Sequence, residues 1–141
     1  TNKKSLDALK SLIFPKSFLV TPNLEEAKSI SGEDNLDLVI ENLFNLCTQY
    51  VLIKDVEKSK NLVVNNLYSK SKFIKHWENP RIEGKFHGTG CSLASSIACF
   101  VAKSRNIIES IDLAQKYTLK AIINSVKIGK GQKILKGKLY D

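Results

Sequence analysis

The feature that most constrains the fold of this chain is the segment His87-Gly88-Thr89-Gly90-Cys91, which runs directly into an apolar sequence with helical periodicity. Backbone N–H groups at a helix start have no intrahelical partners, and the helix dipole adds partial positive charge there. Glycine lets an anion come close to the main chain. The segment therefore predicts an anion site formed by Gly88, Thr89, Gly90 and Cys91. The alternative is a plain helix start after a flexible turn.

The side chains around the two glycines suggest what such a site does. Cys91 stands where a thiolate is favoured and where a phosphoryl group would lie within reach. At Gly90 a branched side chain is expected to crowd a bound phosphate and to disfavour the backbone angles of a glycine loop. His87 is expected either to hydrogen-bond a phosphate or to hold the loop.

Helical and strand patterns alternate along the sequence, which predicts an α/β fold. The two patterns at 61–68 and 72–77 predict an antiparallel extension at the edge of the sheet, followed by a loop over 78–86 and, after residue 126, by a tail rich in glycine and lysine. No segment resembles a linker, so one domain is expected. The predicted helices cover 6–13, 23–31, 36–46, 91–103 and 107–126, and the remaining predicted strands cover 18–20 and 50–53.

Composition places the chain among compact proteins. Its 141 residues are 43% hydrophobic, and no apolar run approaches the roughly 18 residues of a transmembrane helix. No signal peptide is recognisable, so a cytoplasmic location and no membrane partner are expected. Cys47, Cys91 and Cys99 are odd in number and have no zinc-like spacing, which favours neither a disulfide framework nor a structural metal site. Cys47 and Cys99 are expected to be small core residues.

The net charge of +8 raises the question of nucleic-acid binding. The lysines are scattered along the whole chain and form no stripe with interleaved aromatic residues, so no nucleic-acid partner is predicted. A solvated basic surface that also attracts an anionic nucleotide is expected instead. The densest group is predicted to be either a tail or a contact to phosphate, and comprises Lys127, Lys130, Lys133, Lys136 and Lys138.

Three segments carry a resemblance to a known family in the same order along the chain. Residues 20–27 read V-T-P-N-L-E-E-A, Arg81-Ile82 precedes the string 87–98, and Gly129-Lys130-Gly131 comes near the end. Together they resemble the signatures of the hydroxymethylpyrimidine/phosphomethylpyrimidine kinases of thiamine biosynthesis, which belong to the ribokinase-like superfamily. The resemblance runs from about Leu6 to Gly131 and covers only the C-terminal part of a family member, without the pyrimidine pocket.

The resemblance implies a fold and an activity. The fold is the C-terminal part of a ribokinase-like three-layer α/β/α sandwich with a mostly parallel sheet, and residues 1–141 would form the ATP-side portion of a single, partial kinase domain. The activity is phosphorylation of hydroxymethylpyrimidine and of its monophosphate with Mg-ATP. Cys91 would accept the proton of the substrate hydroxyl, while the amides of Gly88 to Cys91 cradle the phosphoryl group. The alternative for Cys91 is a purely structural role.

Three further residues receive roles from the same resemblance. Asn23 and Glu26 would contact Mg²⁺ through water, and the alternative is a helix start that favours glutamate in its first turn. Lys54 would meet a nucleotide phosphate. The family continues from this lysine with Gly-Gly-His, whereas this chain reads Lys54-Asp55-Val56-Glu57. The two added negative charges are expected to weaken nucleotide binding.

Two alternatives to this function stay open at the level of sequence. One is a pyridoxal kinase-like enzyme, because pyridoxal kinase resembles this family in its glycine motif. The other is a truncated, non-catalytic domain that binds nucleotide or partners. The chain contains no methionine, which indicates a fragment, a processed product or a renumbered portion. A fragment with an open apolar sheet edge is expected to associate with itself as a homodimer or to aggregate.

Overall fold

The computed structural model describes residues 3–46, 48–57, 59–103, 105–127 and 130–136. The chain divides into two compact units, with the boundary between Asn79 and Pro80. Helices and strands alternate within it, which confirms the predicted α/β class. The expectations for Cys47, Gly129 and Lys138 lie outside the described residues.

The helices of the first unit begin and end where local chemistry requires. Helix α1, Lys3–Ala8, continues as a π-helical turn over Leu9–Ile13 and a 3₁₀ turn over Phe14–Lys16. Helix α2, Leu24–Ser31, ends at Gly32, whose φ of 80° is the left-handed conformation that glycine favours. Helix α3, Leu36–Asn45, begins after Asn35. All three helices confirm the prediction.

Four strands form the sheet of the first unit, in the order β1, β2, β3, β4. They are β1, Leu19–Val20; β2, Tyr50–Ile53; β3, Leu62–Ser69; and β4, Lys72–Pro80. Strand β2 is parallel to β1 and antiparallel to β3, which confirms the predicted antiparallel extension. Strand β4 is three residues longer than predicted because the extended chain continues into the expected loop.

The core of the first unit forms around β2. Val51, Leu52 and Ile53 are all fully buried, as expected for an inner strand covered on both faces. Burial raises the pKa of Tyr68, so this phenol stays uncharged in the core. The buried cluster that joins the helices to the sheet consists of Phe14, Ala27, Val39, Ile40, Leu43, Val51, Ile53 and Tyr68.

The second unit combines two helices with a small sheet. Helix α4, Thr89–Ala102, packs against α5, Ile107–Ile123. Strand β5, Phe86–His87, is parallel to β7, Lys133–Ile134, and β6, Val126–Lys127, is antiparallel to β7. The prediction of an irregular tail after residue 126 is therefore wrong where the chain forms β6 and β7. Two-residue strands have no periodicity of their own, and they form here because the N–H of Lys133 donates to Lys85 O at 2.9 Å and because they pair with each other.

A second correction concerns Cys99, which is exposed and not a core residue. Helix α4 buries Leu93 and Ile97, and Cys99 is turned by about 200° from Ile97 on a helix of 3.6 residues per turn. Because α4 is apolar on most sides, its sequence does not indicate which face packs against the rest of the protein. In the described parts of the chain, no helix has both the length and the apolar character needed to cross a membrane.

We expect the two leucines of α3 to differ sharply in their contribution to stability. Leu43 is fully buried and Leu38 is exposed. Leu43→Ala should lower the free energy of unfolding by about 2–5 kcal/mol, because it leaves a cavity in the core. Leu38→Ala should change it by less than about 0.5 kcal/mol. Denaturant unfolding of both variants measures this, and equal losses would contradict the described packing.

Candidate functional site

The N-terminus of α4 has no side-chain cap. Gly88 precedes the helix with φ 83° and ψ 9°, and the first helical bond runs from the N–H of Ser92 to Gly88 O at 2.9 Å. The amides of Thr89, Gly90 and Cys91 come before that bond, and no side chain at the N-cap accepts from them. These donors lie at the positive end of the helix dipole, so the geometry suits an anion.

Helices α2, α3 and α5 differ from α4 because a side chain caps the start of each. Helices α2, α3 and α5 each begin after an asparagine, and Asn23, Asn35 and Asn106 accept hydrogen bonds from first-turn amides. The distances for Asn23 and Asn106 are both 2.8 Å. Gly88 occupies the same position before α4 but has no side chain to accept. The first-turn donors of α4 therefore have no N-cap side chain as acceptor, which suits them to an anion.

Gly88, and not Gly90, adopts the backbone conformation that requires glycine. The expectation that Gly90 needs such backbone angles is therefore wrong. The left-handed φ belongs to Gly88, whereas Gly90 lies within the first turn of α4. A Cβ placed on Gly88 would meet no atom within 4 Å. The demand for glycine at 88 is thus conformational rather than steric. The sequence does not distinguish the two glycines of the motif, and only the backbone angles show that Gly88 is the left-handed one.

The remaining predicted residues of the second unit lie on either side of Gly88. Cys91 is exposed and occupies the first turn of α4. His87 ends β5, where it is exposed and adjacent to Ile134 of β7. The structure thus presents Cys91 and His87 to the surface next to the open amides. Their predicted roles in transfer and in nucleotide binding remain predictions.

In the first unit, the carboxyl ends of β1 and β2 bring Asn23 and Lys54 side by side. The two residues form a parallel bridge beyond the strands. The N–H of Lys54 donates to Pro22 O at 2.9 Å, and the N–H of Leu24 donates to Lys54 O at 3.1 Å. Ligands of open α/β sheets bind beyond the carboxyl ends of strands. This edge therefore matches the predicted placement of Asn23, Glu26 and Lys54.

Asn23 and Glu26 form a reciprocal capping box at the start of α2. The N–H of Asn23 donates to Glu26 Oε2 at 2.8 Å, and the N–H of Glu26 donates to Asn23 Oδ1 at 2.8 Å. Both side chains therefore have the structural role of capping α2, which was the alternative to a metal contact. The carboxylate is nevertheless exposed. A hydrated Mg²⁺ on nucleotide phosphates requires only one or two protein carboxylates, so the water-mediated contact stays a prediction.

Among the residues that the structure describes, no three His, Cys, Asp or Glu side chains lie close enough together to hold a metal ion. The Asn23 and Glu26 pair therefore fits an outer contact to a metal that the nucleotide carries, and does not form a protein cage for it.

Asp55 follows Lys54 in a left-handed conformation with φ 54°, and its N–H donates to Asn65 Oδ1 at 3.1 Å. Aspartate is among the few residues other than glycine that tolerate this conformation. The chain therefore has a left-handed residue at the position where the family that it resembles has glycine. Sequence reasoning missed Asn65, because its contact with Asp55 is formed across the start of β3 and leaves no local signal.

Comparison with solved structures defines the class of fold. An ADP complex of Bacillus subtilis pyridoxal kinase matches with a TM-score of 0.85 and 26% identity, over 97% of this chain and 56% of that one. This similarity confirms the ribokinase-like α/β fold. The chain therefore belongs to the ribokinase-like class of α/β folds.

Comparison of sequences identifies the family. The profile of the phosphomethylpyrimidine kinase family matches residues 1–136, and this chain belongs to that family. Hydroxymethylpyrimidine/phosphomethylpyrimidine kinase of Bacillus subtilis is 28% identical over 91% of the chain and 49% of the relative, and that of Aquifex aeolicus is 31% identical over 95% and 54%. The chain thus spans about half the length of these relatives.

Gly88→Ala and Gly32→Ala form a matched pair that separates backbone strain from ligand binding. Both glycines have φ near 80° and open space around the position of a Cβ. Each alanine variant should lower the free energy of unfolding by about 1–2 kcal/mol, the penalty of a left-handed alanine. Only Gly88→Ala should also weaken ATP binding, because it shifts the amides of α4. Denaturant unfolding and calorimetric ATP titration test this, and equal ATP affinities would remove Gly88 from the site.

Proposed function

We propose that this chain is the ATP-side part of a cytoplasmic kinase that phosphorylates hydroxymethylpyrimidine and its monophosphate in thiamine biosynthesis. The observation that carries the proposal is the N-terminus of α4, where uncapped amides follow Gly88 and Cys91 lies in the same turn. Membership of the phosphomethylpyrimidine kinase family supports the substrate class. The ADP complex of the similar Bacillus subtilis pyridoxal kinase supports an adenine nucleotide as donor.

The proposed chemistry divides between main chain and side chain. In phosphoryl transfer, the substrate hydroxyl oxygen forms a bond to the γ-phosphorus while the bond from that phosphorus to the bridging oxygen breaks. The amides of Thr89, Gly90 and Cys91 stabilise negative charge on the migrating group. The thiolate of Cys91 takes the hydroxyl proton. Cys91 lies in the first turn of α4, in the same turn as these amides.

The carboxyl edge of the first unit supplies the charge that polyphosphate binding requires. Lys54 would contact a phosphate, and Asn23 and Glu26 would reach Mg²⁺ through water. The metal, when bound to the nucleotide, neutralises phosphate charge. Asp55 and Glu57 add negative charge beside Lys54, so nucleotide affinity is expected to fall below that of a protein with uncharged residues at these two positions.

A pyridoxal kinase-like activity is the second candidate, and the fold similarity to Bacillus subtilis pyridoxal kinase favours it. A non-catalytic domain that binds nucleotide or partners is the third, and the half-length match to the relatives favours that reading. Assays of phosphoryl transfer from Mg-ATP to hydroxymethylpyrimidine, to its monophosphate and to pyridoxal separate the three. The assays use the protein that carries this chain together with the half that relatives possess.

Two exposed cysteines on α4 allow a controlled test of the base. In that protein, Cys91→Ala should reduce turnover by about 10²–10⁴-fold, the range for a lost general base, with little change in ATP affinity. Alanine removes the proton acceptor and leaves the phosphate-binding amides in place. Cys99→Ala, on the same helix, should leave both quantities unchanged. Near wild-type turnover of Cys91→Ala would reassign Cys91 to a structural helix start.

Glu26→Gln separates the metal contact from the capping box. Glutamine at this position keeps an oxygen that accepts from the N–H of Asn23, so stability should change by less than about 0.5 kcal/mol. The lost charge should raise the Mg²⁺ concentration needed for half-maximal turnover. Glu109→Gln is the control, because Glu109 follows its cap Asn106 at the same spacing and pairs with Arg105. An identical Mg²⁺ requirement in both variants would leave Glu26 with a capping role alone.

A further inference from the structure

The residues that follow β2 are held by backbone hydrogen bonds from both neighbouring segments. On the side of β1, the N–H of Lys54 donates to Pro22 O at 2.9 Å, and Lys54 O accepts from the first amide of α2 at 3.1 Å. On the side of β3, the N–H of Val56 donates to Val64 O at 2.9 Å. Asp55 joins these two anchored residues, so its backbone angles decide whether both sets of bonds can form.

The chain after β2 contains one residue more than the strand opposite it. Ile53 pairs with Asn66 in the antiparallel register, and the N–H of Val56 then donates to Val64 O. The step from 53 to 56 is three residues, whereas the step from 66 to 64 is two, which is the count of a β-bulge. In one common type of bulge a left-handed glycine is the added residue. Here Asp55 takes the left-handed conformation, with φ 54°.

The side chain of Asn65 supports this left-handed residue. The N–H of Asp55 donates to Asn65 Oδ1 at 3.1 Å, and Asn65 is only 4% exposed. The added residue of a bulge is not paired by the strand ladder, and a backbone N–H removed from water needs an acceptor. A residue with a Cβ also enters the left-handed region less readily than glycine does. The hydrogen bond to Asn65 therefore stabilises a conformation that aspartate alone adopts less readily than glycine.

The residue that depends on this turn is Lys54, which forms the parallel bridge with Asn23 at the carboxyl edge of the sheet. We propose that Asn65 is a positioning residue for nucleotide binding. It holds Asp55 in the left-handed conformation and thereby fixes the backbone from which the Lys54 ammonium group reaches a phosphate. Asn65 acts through Lys54 and does not itself contact the nucleotide. The proposal rests on the role of Lys54 in ATP binding that is part of the proposed function.

Two uncharged substitutions of Asp55 separate the shape of the turn from its charge. Asp55→Asn and Asp55→Gly both remove the carboxylate, but only glycine adopts the left-handed conformation without support. In the protein used for the phosphoryl-transfer assays, Asn65→Ala should raise the Kd for Mg-ATP about tenfold in the Asp55→Asn background, because the turn that holds Lys54 loses its acceptor. In the Asp55→Gly background the same change should raise the Kd less than about twofold.

Calorimetric titration measures the Kd, and steady-state kinetics give a second readout. The KM for ATP should follow the Kd, while turnover at saturating Mg-ATP should change by less than about twofold, because Lys54 contributes to binding of the nucleotide and not to the transfer step alone. Asn66→Ala is the matched control, because Asn66 is the next residue of β3 and its Nδ2 donates to Tyr68 Oη at 3.2 Å. It should lower the free energy of unfolding and leave the Kd unchanged.

The outcomes distinguish the role of Asn65 from the proposed function. Equal effects of Asn65→Ala in the two backgrounds would overturn the role of Asn65, and so would an equal rise in Kd with Asn66→Ala. Loss of the folded state of Asn65→Ala in the Asp55→Gly background would also overturn it, because glycine should make the support unnecessary. The expected Kd values without transfer to hydroxymethylpyrimidine would overturn the proposed substrate and support the role of Asn65. A wild type that binds no Mg-ATP would overturn both.

Discussion

The parallel pairing of β1 with β2 is the interaction on which the rest of the first unit depends. It continues past the strands as the bridge between Asn23 and Lys54, so the start of α2 and the residue after β2 share one edge. The same register places Val51 and Ile53 in the cluster with the helices, with Leu52 buried between them. Core packing and the candidate ligand edge therefore follow from one set of backbone hydrogen bonds.

Elements governed by nearest neighbours were predictable from the sequence. The start of α2 at Asn23, its end at Gly32 and the inner strand β2 depend on caps, handedness and local hydrophobicity. Strand β7 depends on pairing with β5, which lies far away in the chain, and β6 depends on pairing with β7; neither two-residue strand carries a local pattern. The sequence also offered no way to choose between the faces of α4, which is why Cys99 was misplaced.

The sequence predicted which elements carry the candidate site residues, but not the backbone angles and long-range contacts around them. The glycine motif does open a helix, and the T-P-N-x-x-E-A segment does meet the end of β2. The identity of the turning glycine and the support of Asp55 by Asn65 depend on backbone angles and on a contact between distant residues. Asp55 adopts a left-handed conformation at the position where the family that the chain resembles has glycine, and its carboxylate adds negative charge next to Lys54 in the sequence.

The capping box at α2 has a consequence for the carboxyl edge as a whole. Glu26 Oε2 is engaged by the N–H of Asn23, so the side chain cannot rotate freely without releasing the helix start. An exposed glutamate without such a hydrogen bond loses its rotamer freedom when it binds a ligand, and this entropy cost weakens the binding. Here the loss occurs when α2 folds. The capping box therefore fixes the rotamer of Glu26 before any ligand reaches this edge, and a change that released the N–H of Asn23 from the carboxylate would return that entropic cost to ligand binding.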